Sequence, residues 1–171
     1  MEESLGSWVC ACCGETHSSV PLSFAVDYPD VYANMTEEER AEHAEASFDQ
    51  CVIDDGTLAI RGLVEIPIHG TSERFLWGVW ARVHHDDFTQ IHDSWEEKGR
   101  EGTRGPFKRR MVNRLPLYPD TLNLKLTIKI QPLGSRPLFF LDEEHPLATQ
   151  QRDGMSLEQA RAIASQLMHN Q

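Results

Sequence analysis

The feature that most constrains this chain is a cluster of cysteines near its N-terminus, followed by a glycine. Cys10 and Cys13 are separated by two residues, and Gly14 follows at once. In such a turn the backbone amides point at the sulfur atoms, and glycine lets the chain curl away without a Cβ clash. This is the spacing of a zinc knuckle. It predicts that a metal ties the N-terminus to whatever supplies the remaining ligands.

The clustering does not suit a disulfide framework, because adjacent Cys12 and Cys13 cannot form a relaxed disulfide with each other. A tetrahedral zinc site needs two further ligands, and His17 and Cys51 are the best placed. We therefore expect a closed site formed by Cys10, Cys13, His17 and Cys51, with Cys12 as a bystander. Closed sites of this kind are structural, so zinc should stabilise the fold and not catalyse. The alternative is a metal-free turn with Cys51 buried as a small hydrophobe.

The chain has 171 residues, which suits a single domain spanning residues 1–171. Its net charge of -11 is unevenly distributed. Residues 1–60 contain 13 Asp and Glu against one Lys or Arg, whereas residues 61–171 contain 14 against 15. The acidic part should repel nucleic acid and anionic membranes and attract a basic partner. Solubility alone is the simpler explanation of this charge.

Nothing in the sequence predicts a membrane protein. No apolar run approaches the ~20 residues that cross a bilayer. The acidic start at residues 1–4 also lacks the basic-then-apolar order of a signal peptide. We therefore expect a cytoplasmic protein with no membrane contact, and the oligomeric state stays open.

Alternating apolar residues predict a mostly antiparallel sheet. The predicted strands lie within residues 20–26, 51–61, 63–68, 75–83, 122–130 and 136–141. The hairpin at residues 51–61 turns at an Asp-Asp-Gly sequence. Residues 75–83 are apolar on both faces, which predicts a central strand.

Two capping boxes predict helices at either end of this sheet. Thr36 and Glu39 begin a surface helix that should run to about Phe48. Ser156 and Gln159 begin a C-terminal helix that should cover a sheet face. The predicted fold is α+β: a mostly antiparallel sheet with an N-terminal surface helix, a C-terminal covering helix and an N-terminal zinc knuckle. Residues 1–60 hold the knuckle and first helix, and residues 61–171 hold the sheet and last helix.

Several motifs follow one another in a specific order, at residues 10–17, 49–54, 61–67, 77–80, 118–125, 136–137 and 145–148. In this order they resemble the bacterial family catalogued as domain of unknown function 2199. The resemblance covers nearly the whole chain and implies a bacterial, single-domain protein with no assigned activity. This chain departs from the family pattern at Lys108–Val112, where the family tends to carry a Gly-Trp-Leu stretch.

A second candidate site lies after the predicted central strand, where a short helix is expected from His84 to Trp95. His85 and His92 can share one helical face with Asp86 or Asp93, as an open metal site or an acid/base pair. This segment supports an alternative hypothesis, an enzyme that uses residues 84–92. Ordinary solvated turn residues are the simpler explanation.

A third candidate is a basic segment at residues 104–114, expected to be a loop. It carries five basic residues around Phe107: Arg104, Lys108, Arg109, Arg110 and Arg114. Basic residues beside an aromatic ring can hold phosphate and stack a base, which supports nucleic-acid binding as another alternative. The acidic net charge opposes this alternative. The segment can instead pair with the acidic N-terminal third.

A fourth candidate is His145, which follows the acidic residues 142–144, together with His169 near the C-terminus. Helix capping explains His145 more simply than catalysis does. The sequence contains no serine triad order, phosphate-binding glycine loop or nucleotide fingerprint. The leading hypothesis is a zinc-binding, non-catalytic module that binds a protein partner, which its charge predicts to be basic. Its contact surface is expected to include four exposed aromatic residues: Trp8, Tyr28, Tyr32 and Trp95.

Overall fold

The computed structural model describes residues 6–168. The sequence expectations for residues 1–4 and for His169 lie outside this range. The strands are β1 (Trp8–Val9), β2 (Thr16–His17), β3 (Ser23–Ala25), β4 (Ala44–Ala46), β5 (Gln50–Ile53), β6 (Leu58–Pro67), β7 (Arg74–Val83), β8 (Phe107–Met111), β9 (Lys125–Lys129) and β10 (Leu138–Leu141). The helices are α1 (Asp30–Ala33), α2 (Glu37–His43), α3 (His85–Asp93), α4 (Pro146–Asp153) and α5 (Leu157–Met168).

Two sheets are present in the described residues. β1 and β2 form an antiparallel pair, and the other strands form an eight-stranded sheet in the order β3-β7-β8-β9-β10-β6-β5-β4. β6 also pairs along its whole length with β7, so the strands β6 to β10 close into a ring. The ring is completed by a parallel pairing of Leu138 with Leu63. Apart from this pairing and β3 with β7, the pairings between strands are antiparallel, which confirms the predicted α+β class.

The main core lies inside this ring and under α4 and α5. Its largest buried side chains include Phe75, Trp77 and Phe139. Gly62 on β6 makes room for one of them, because a Cβ atom there would lie 2.3 Å from the Phe139 ring. The absence of a side chain at this position is therefore what lets β6 and β10 meet.

Several predicted elements are confirmed. The hairpin at residues 51–61 forms from β5 and β6, and the apolar strand β7 is central in the sheet. Ser156 and Gln159 make both hydrogen bonds of the second capping box, at 2.8 and 3.0 Å. The helix that follows, α5, buries apolar residues against the main core.

The first helix is shorter than predicted. Thr36 and Glu39 form the expected capping box, but α2 ends at His43 and not near Phe48. Ala44 is extended, with φ −146° and ψ 152°, and begins β4, which pairs with β5. Backbone pairing with a neighbouring strand therefore outweighs the helix-forming residues of this segment. Phe48 lies in the tight connection between β4 and β5 and is 81% exposed.

The segment at residues 96–106, which joins α3 to β8, is largely exposed but is anchored by one buried side chain. Arg100 is buried, and its guanidinium donates hydrogen bonds to the carbonyls of Trp95, Gln131, Pro132 and Ser135. The basic segment at residues 104–114 was predicted to be a loop. This prediction is wrong, because residues 107–111 form strand β8 of the ring.

In the part of the chain described, no helix is both long and apolar enough to span a bilayer.

Candidate metal centre

The cysteine cluster lies in the turn of the hairpin formed by β1 and β2. The backbone N–H of Cys10 donates to Glu15 O at 2.9 Å, and the N–H of Gly14 donates to Cys10 O at 2.9 Å. Gly14 has φ +73°, a backbone conformation that glycine adopts without strain. The glycine thus has the role that the sequence predicts, which is to let the chain reverse after Cys13.

This turn brings three of the predicted ligands together. One donor atom each from Cys10, Cys13 and His17 lies within 4.8 Å of the others. Cys13 Sγ and His17 Nε2 are 3.6 Å apart. Sulfur and nitrogen ligands of one tetrahedral zinc ion lie about 3.4–3.8 Å from each other, given the usual bond lengths. The group can therefore hold a metal ion with only small side-chain adjustments.

Helix α5 supports this group from the far end of the chain. Ser165 Oγ lies 3.6 Å from Cys10 Sγ and accepts a hydrogen bond from the Ala11 N–H at 3.2 Å. Cys10 is only 1% exposed and packs in a small apolar cluster with Trp8, Val20 and Ala164. The hairpin is thus attached to α5 through its first cysteine.

Sequence reasoning missed Ser165 as a part of this site. The one available signal is that a small polar residue adjoins the apolar stripe of the C-terminal helix, where the structure buries it. That signal does not say what the hydroxyl group faces, because its partner is more than 150 positions away in the chain.

The environment of Cys10 favours its thiolate form. Burial opposes ionisation, but hydrogen bonds from the backbone amides of Cys13 and Cys12 and from Ser165 lower the pKa of Cys10 to about 5. At Cys13 the backbone amide of Glu15 also favours the thiolate. Desolvation and the nearby Cys10 sulfur outweigh it, so the pKa of Cys13 is raised. A bound dication would relieve this repulsion between the two sulfur atoms.

Cys51 does not join the group, and the predicted closed site of four ligands is therefore not formed by the described residues. Cys51 lies on β5 in a separate apolar cluster with Ile53, Ala59 and Trp80, and it is 1% exposed. This burial raises the pKa of its thiol to about 11. The alternative considered for Cys51, a buried small hydrophobe, is what the structure shows.

The family described as an uncharacterised protein conserved in bacteria, domain of unknown function 2199, matches residues 9–155. The chain belongs to this family. The matched span of this family member contains the three clustered ligands and the ring of strands, and it ends before α5. No curated protein and no solved structure matches the chain.

The second candidate site is not assembled. His85 is highly exposed and lies 4.0 Å from Asp86, whereas His92 contacts Gln50 at 3.2 Å and stacks on Phe88. Seven residues of α-helix separate the two histidines by about 10 Å along the axis, too far for one metal ion. The described residues contain one possible metal-holding group, and neither histidine belongs to it.

The basic segment is occupied by contacts within the protein. Arg109 pairs with Asp87, which is 4% exposed, and Arg110 donates to Asn123 O at 3.1 Å. Two further basic residues also pair with carboxylates, Arg104 with Glu97 at 3.2 Å and Arg114 with Asp120 at 3.3 Å. The carboxylates of these ion pairs lie beyond residue 60. The acidic N-terminal third meets the segment through Asp30 instead, whose carboxylate accepts hydrogen bonds from the Arg114 N–H at 2.9 Å and the Asn113 amide at 3.1 Å. Lys108 remains an exposed residue of β8.

The nucleic-acid hypothesis also required an aromatic ring that can stack on a base. Phe107 is 7% exposed and belongs to the main core, so it is not available for stacking.

His145 caps a helix, which is the simpler of the two roles that the sequence allows for it. Its Nδ1 accepts a hydrogen bond from the Leu147 N–H at 3.1 Å, which caps the N-terminus of α4.

The four aromatic residues expected at the surface are not exposed. Trp8 is 5% exposed and is part of the hairpin cluster. Tyr28 and Tyr32 are half-buried and pack together, with Arg40 over both rings. Trp95 is also half-buried, under Arg100. Phe48 is the aromatic residue that the structure exposes most among those described.

Proposed function

We propose that this protein binds one zinc ion through Cys10, Cys13 and His17. The observation that carries this proposal is the approach of these three donor atoms to within 4.8 Å on one small hairpin. Two thiolates and an imidazole form a soft donor set that suits zinc better than magnesium or calcium. The low pKa of Cys10 also supports the proposal, because a thiolate and not a thiol binds the metal.

The expected role of the metal is structural. Cys10 is buried against α5, so a metal bound to it would fix the hairpin to the C-terminal helix. Metal binding would also balance the charges of two sulfur atoms that lie close together. With Cys51 elsewhere, the fourth ligand would be a water molecule or a donor from a binding partner.

We further propose that the protein acts by binding another protein and not by catalysis. The histidines of α3 are not assembled into a site, and the basic residues of β8 are largely engaged within the protein. The acidic surface around α2 is the part of the molecule that favours a basic partner. The four glutamates of this helix are exposed.

The metal proposal is tested by native mass spectrometry of protein loaded with zinc, with adjacent cysteines as matched variants. The unaltered protein and Cys12→Ser should each carry one zinc ion. Cys13→Ser and His17→Ala should lower zinc affinity by more than about 100-fold, since each removes a ligand and not merely an outer-shell contact. Cys51→Ala should retain the metal.

Two results would overturn the proposal. The first is protein that carries no zinc and melts at the same temperature with and without a strong chelator. The second is loss of zinc from Cys12→Ser to the same extent as from Cys13→Ser. Loss of zinc from Cys51→Ala in a folded protein would restore Cys51 as a ligand.

A further inference from the structure

A buried guanidinium on β6 lies away from the metal group. Arg61 is 6% exposed, and its guanidinium lies 5.2 Å from the centre of the Trp80 ring on the neighbouring strand. Its Nη2 donates to Val26 O at 2.7 Å, and the Trp80 Nε1 donates to the same carbonyl at 3.0 Å. Among the residues that the structure describes, the buried Nε of Arg61 has no hydrogen-bond partner. The side chain is thus held in place while part of its hydrogen-bonding capacity is unused.

The charge of Arg61 is not neutralised by a direct ion pair. Within residues 6–168, no carboxylate oxygen lies within 4.0 Å of its guanidinium nitrogens. The charges of Asp27 and Asp49 act on Arg61 from a greater distance and favour its cation, but the Asp49 carboxylate is itself paired with Arg136 at 2.7 Å. Burial lowers the pKa of Arg61, and the charge of Arg136 lowers it further. A buried cation without a paired anion is costly, so a site of this kind suits an incoming anion.

Arg61 lines a cavity of about 550 Å³, together with Asp27, Tyr28, Ala46, Ser47 and Phe48. This volume lies within the range of small-molecule sites, roughly 300–1,000 Å³. Phe48 is 81% exposed, and Tyr28 adds a second aromatic ring to the lining. Aromatic rings favour flat apolar groups through offset or edge-to-face contacts.

We propose that this cavity binds a small monocarboxylate with a flat apolar body. The carboxylate would pair with Arg61, since a guanidinium and a carboxylate match in shape and charge. The flat body would pack between Phe48 and Tyr28. Asp27 also lines the cavity, and its negative charge repels a ligand with two negative charges, such as a phosphate monoester, more strongly than it repels a monocarboxylate. This site shares no residue with the metal group.

The test is a titration of the full-length protein, observed by NMR, with three probes of similar size: benzoate, benzamide and phenyl phosphate. Benzoate should shift the backbone amide signals of Ser47 and Phe48 and bind at least tenfold more tightly than the other two. The benzoate affinity should not change after chelator treatment, because the metal group is separate. Benzamide that binds as tightly as benzoate would overturn the role of Arg61. Phenyl phosphate that binds more tightly would overturn the assignment to a monocarboxylate.

Two variants, Phe48→Ala and Arg61→Lys, test whether the ligand binds in this cavity, and Phe140→Ala serves as their control. Phe48→Ala removes an exposed ring and should leave the fold intact, and it should weaken benzoate binding about threefold to tenfold. Phe140→Ala is the matched control, because Phe140 is also an exposed aromatic residue but lies on β10 outside this cavity. Arg61→Lys keeps the charge but loses the planar pairing, so a folded variant should bind at least tenfold more weakly. Unchanged binding by Phe48→Ala, or no binding of benzoate at all, would overturn the proposal.

Discussion

Cys10 and Cys13 lie in one kind of environment, and Cys51 lies in another. Cys10 and Cys13 lie in a turn whose backbone amides point at sulfur, and this arrangement favours the Cys10 thiolate. Cys51 lies among apolar side chains, and burial favours its neutral thiol. The same residue type is thus prepared for metal binding in one place and for packing in the other, and the difference comes from the neighbouring groups.

At the residue scale we predict that Cys51 makes stability depend on alkaline pH. Its pKa is about 11 in the folded protein, against 9.0 for an ordinary thiol. Below pH 9 the thiol is neutral in both folded and unfolded chains. Between pH 9 and 11 only the unfolded chain loses the proton, so the free energy of unfolding falls as the pH rises. Cys51→Ala removes this contribution and costs about 1 kcal/mol at neutral pH.

The measurement is urea unfolding of both proteins from pH 7 to pH 11. The advantage of the unaltered protein over Cys51→Ala should shrink as the pH rises through this range. Other groups also titrate here, but they are common to both proteins and cancel in the difference. A difference that stays constant with pH would contradict the assigned burial of the thiol.

At the scale of elements, the junction of β6 and β10 depends on the missing side chain of Gly62. Gly62→Ala would place a Cβ atom 2.3 Å from the Phe139 ring in the packed interior. Overpacking of this kind costs about 1–3 kcal/mol, so we expect a clearly lower melting temperature. Gly102→Ala is the matched control, because a Cβ atom there meets nothing within 4 Å and the expected change is below about 0.5 kcal/mol.

A second substitution makes this prediction specific to the junction. Phe139→Leu shortens the side chain that a Cβ atom at position 62 would meet, so it should cost less in the Gly62→Ala background than alone. Thermal unfolding of the two single variants and the double variant measures this coupling. Additive losses would show that the two positions do not compete for the same space.

The elements predicted correctly are those whose pattern depends on nearby residues. Thr36 and Glu39 cap α2 within one turn, and the alternation around residues 54–56 defines a hairpin without help from distant strands. The end of α2 was mispredicted because Ala44 pairs with Ile53, a contact that helix propensity does not describe. Helix α4 and the closure of the ring at Leu138 also depend on contacts between distant parts of the chain.

The same distinction applies to the candidate metal site. Its local part can be predicted from the sequence, and the contacts that distant segments make with it cannot. Cys10, Cys13 and His17 are within eight residues of one another, so a tight turn was enough to predict their approach. The support from Ser165 and the burial of Cys51 depend on how α5 and β5 pack, which spacing does not encode. The Arg61 cavity was missed for the same reason, because its lining comes from three separate segments.

At the scale of the whole molecule, the acidic excess of residues 1–60 is not neutralised from within. Their single basic residue other than histidine is Arg40, which packs over Tyr28 and Tyr32 and donates hydrogen bonds to the carbonyls of Tyr32 and Ala33. In the described range, Arg40 forms no ion pair with a carboxylate within 4.0 Å. The glutamates of α2 therefore face solvent with their charge largely uncompensated.

We predict that a basic partner protein binds this acidic surface and that salt weakens the complex. The test variant carries Glu37→Lys, Glu38→Lys and Glu42→Lys on α2, and the control carries Glu96→Lys, Glu101→Lys and Glu158→Lys at exposed sites elsewhere. Both variants change the net charge equally, so a difference between them reports the location of the charge. Bacterial proteins captured by each bait are quantified by mass spectrometry in about 0.1 M and 1 M salt, where screening lengths are about 10 and 3 Å.

A partner that uses the α2 surface should be captured by the unaltered protein and the control, and lost with the α2 variant or at the higher salt concentration. Partners lost equally with both variants would respond only to net charge, which would mean that the acidity serves solubility. Capture that is the same for all three baits at both salt concentrations would contradict an electrostatic surface altogether. Arg40→Gln removes the single Lys or Arg charge of residues 1–60 and leaves the α2 glutamates in place, so a folded variant should capture the partner at least as well as the unaltered protein.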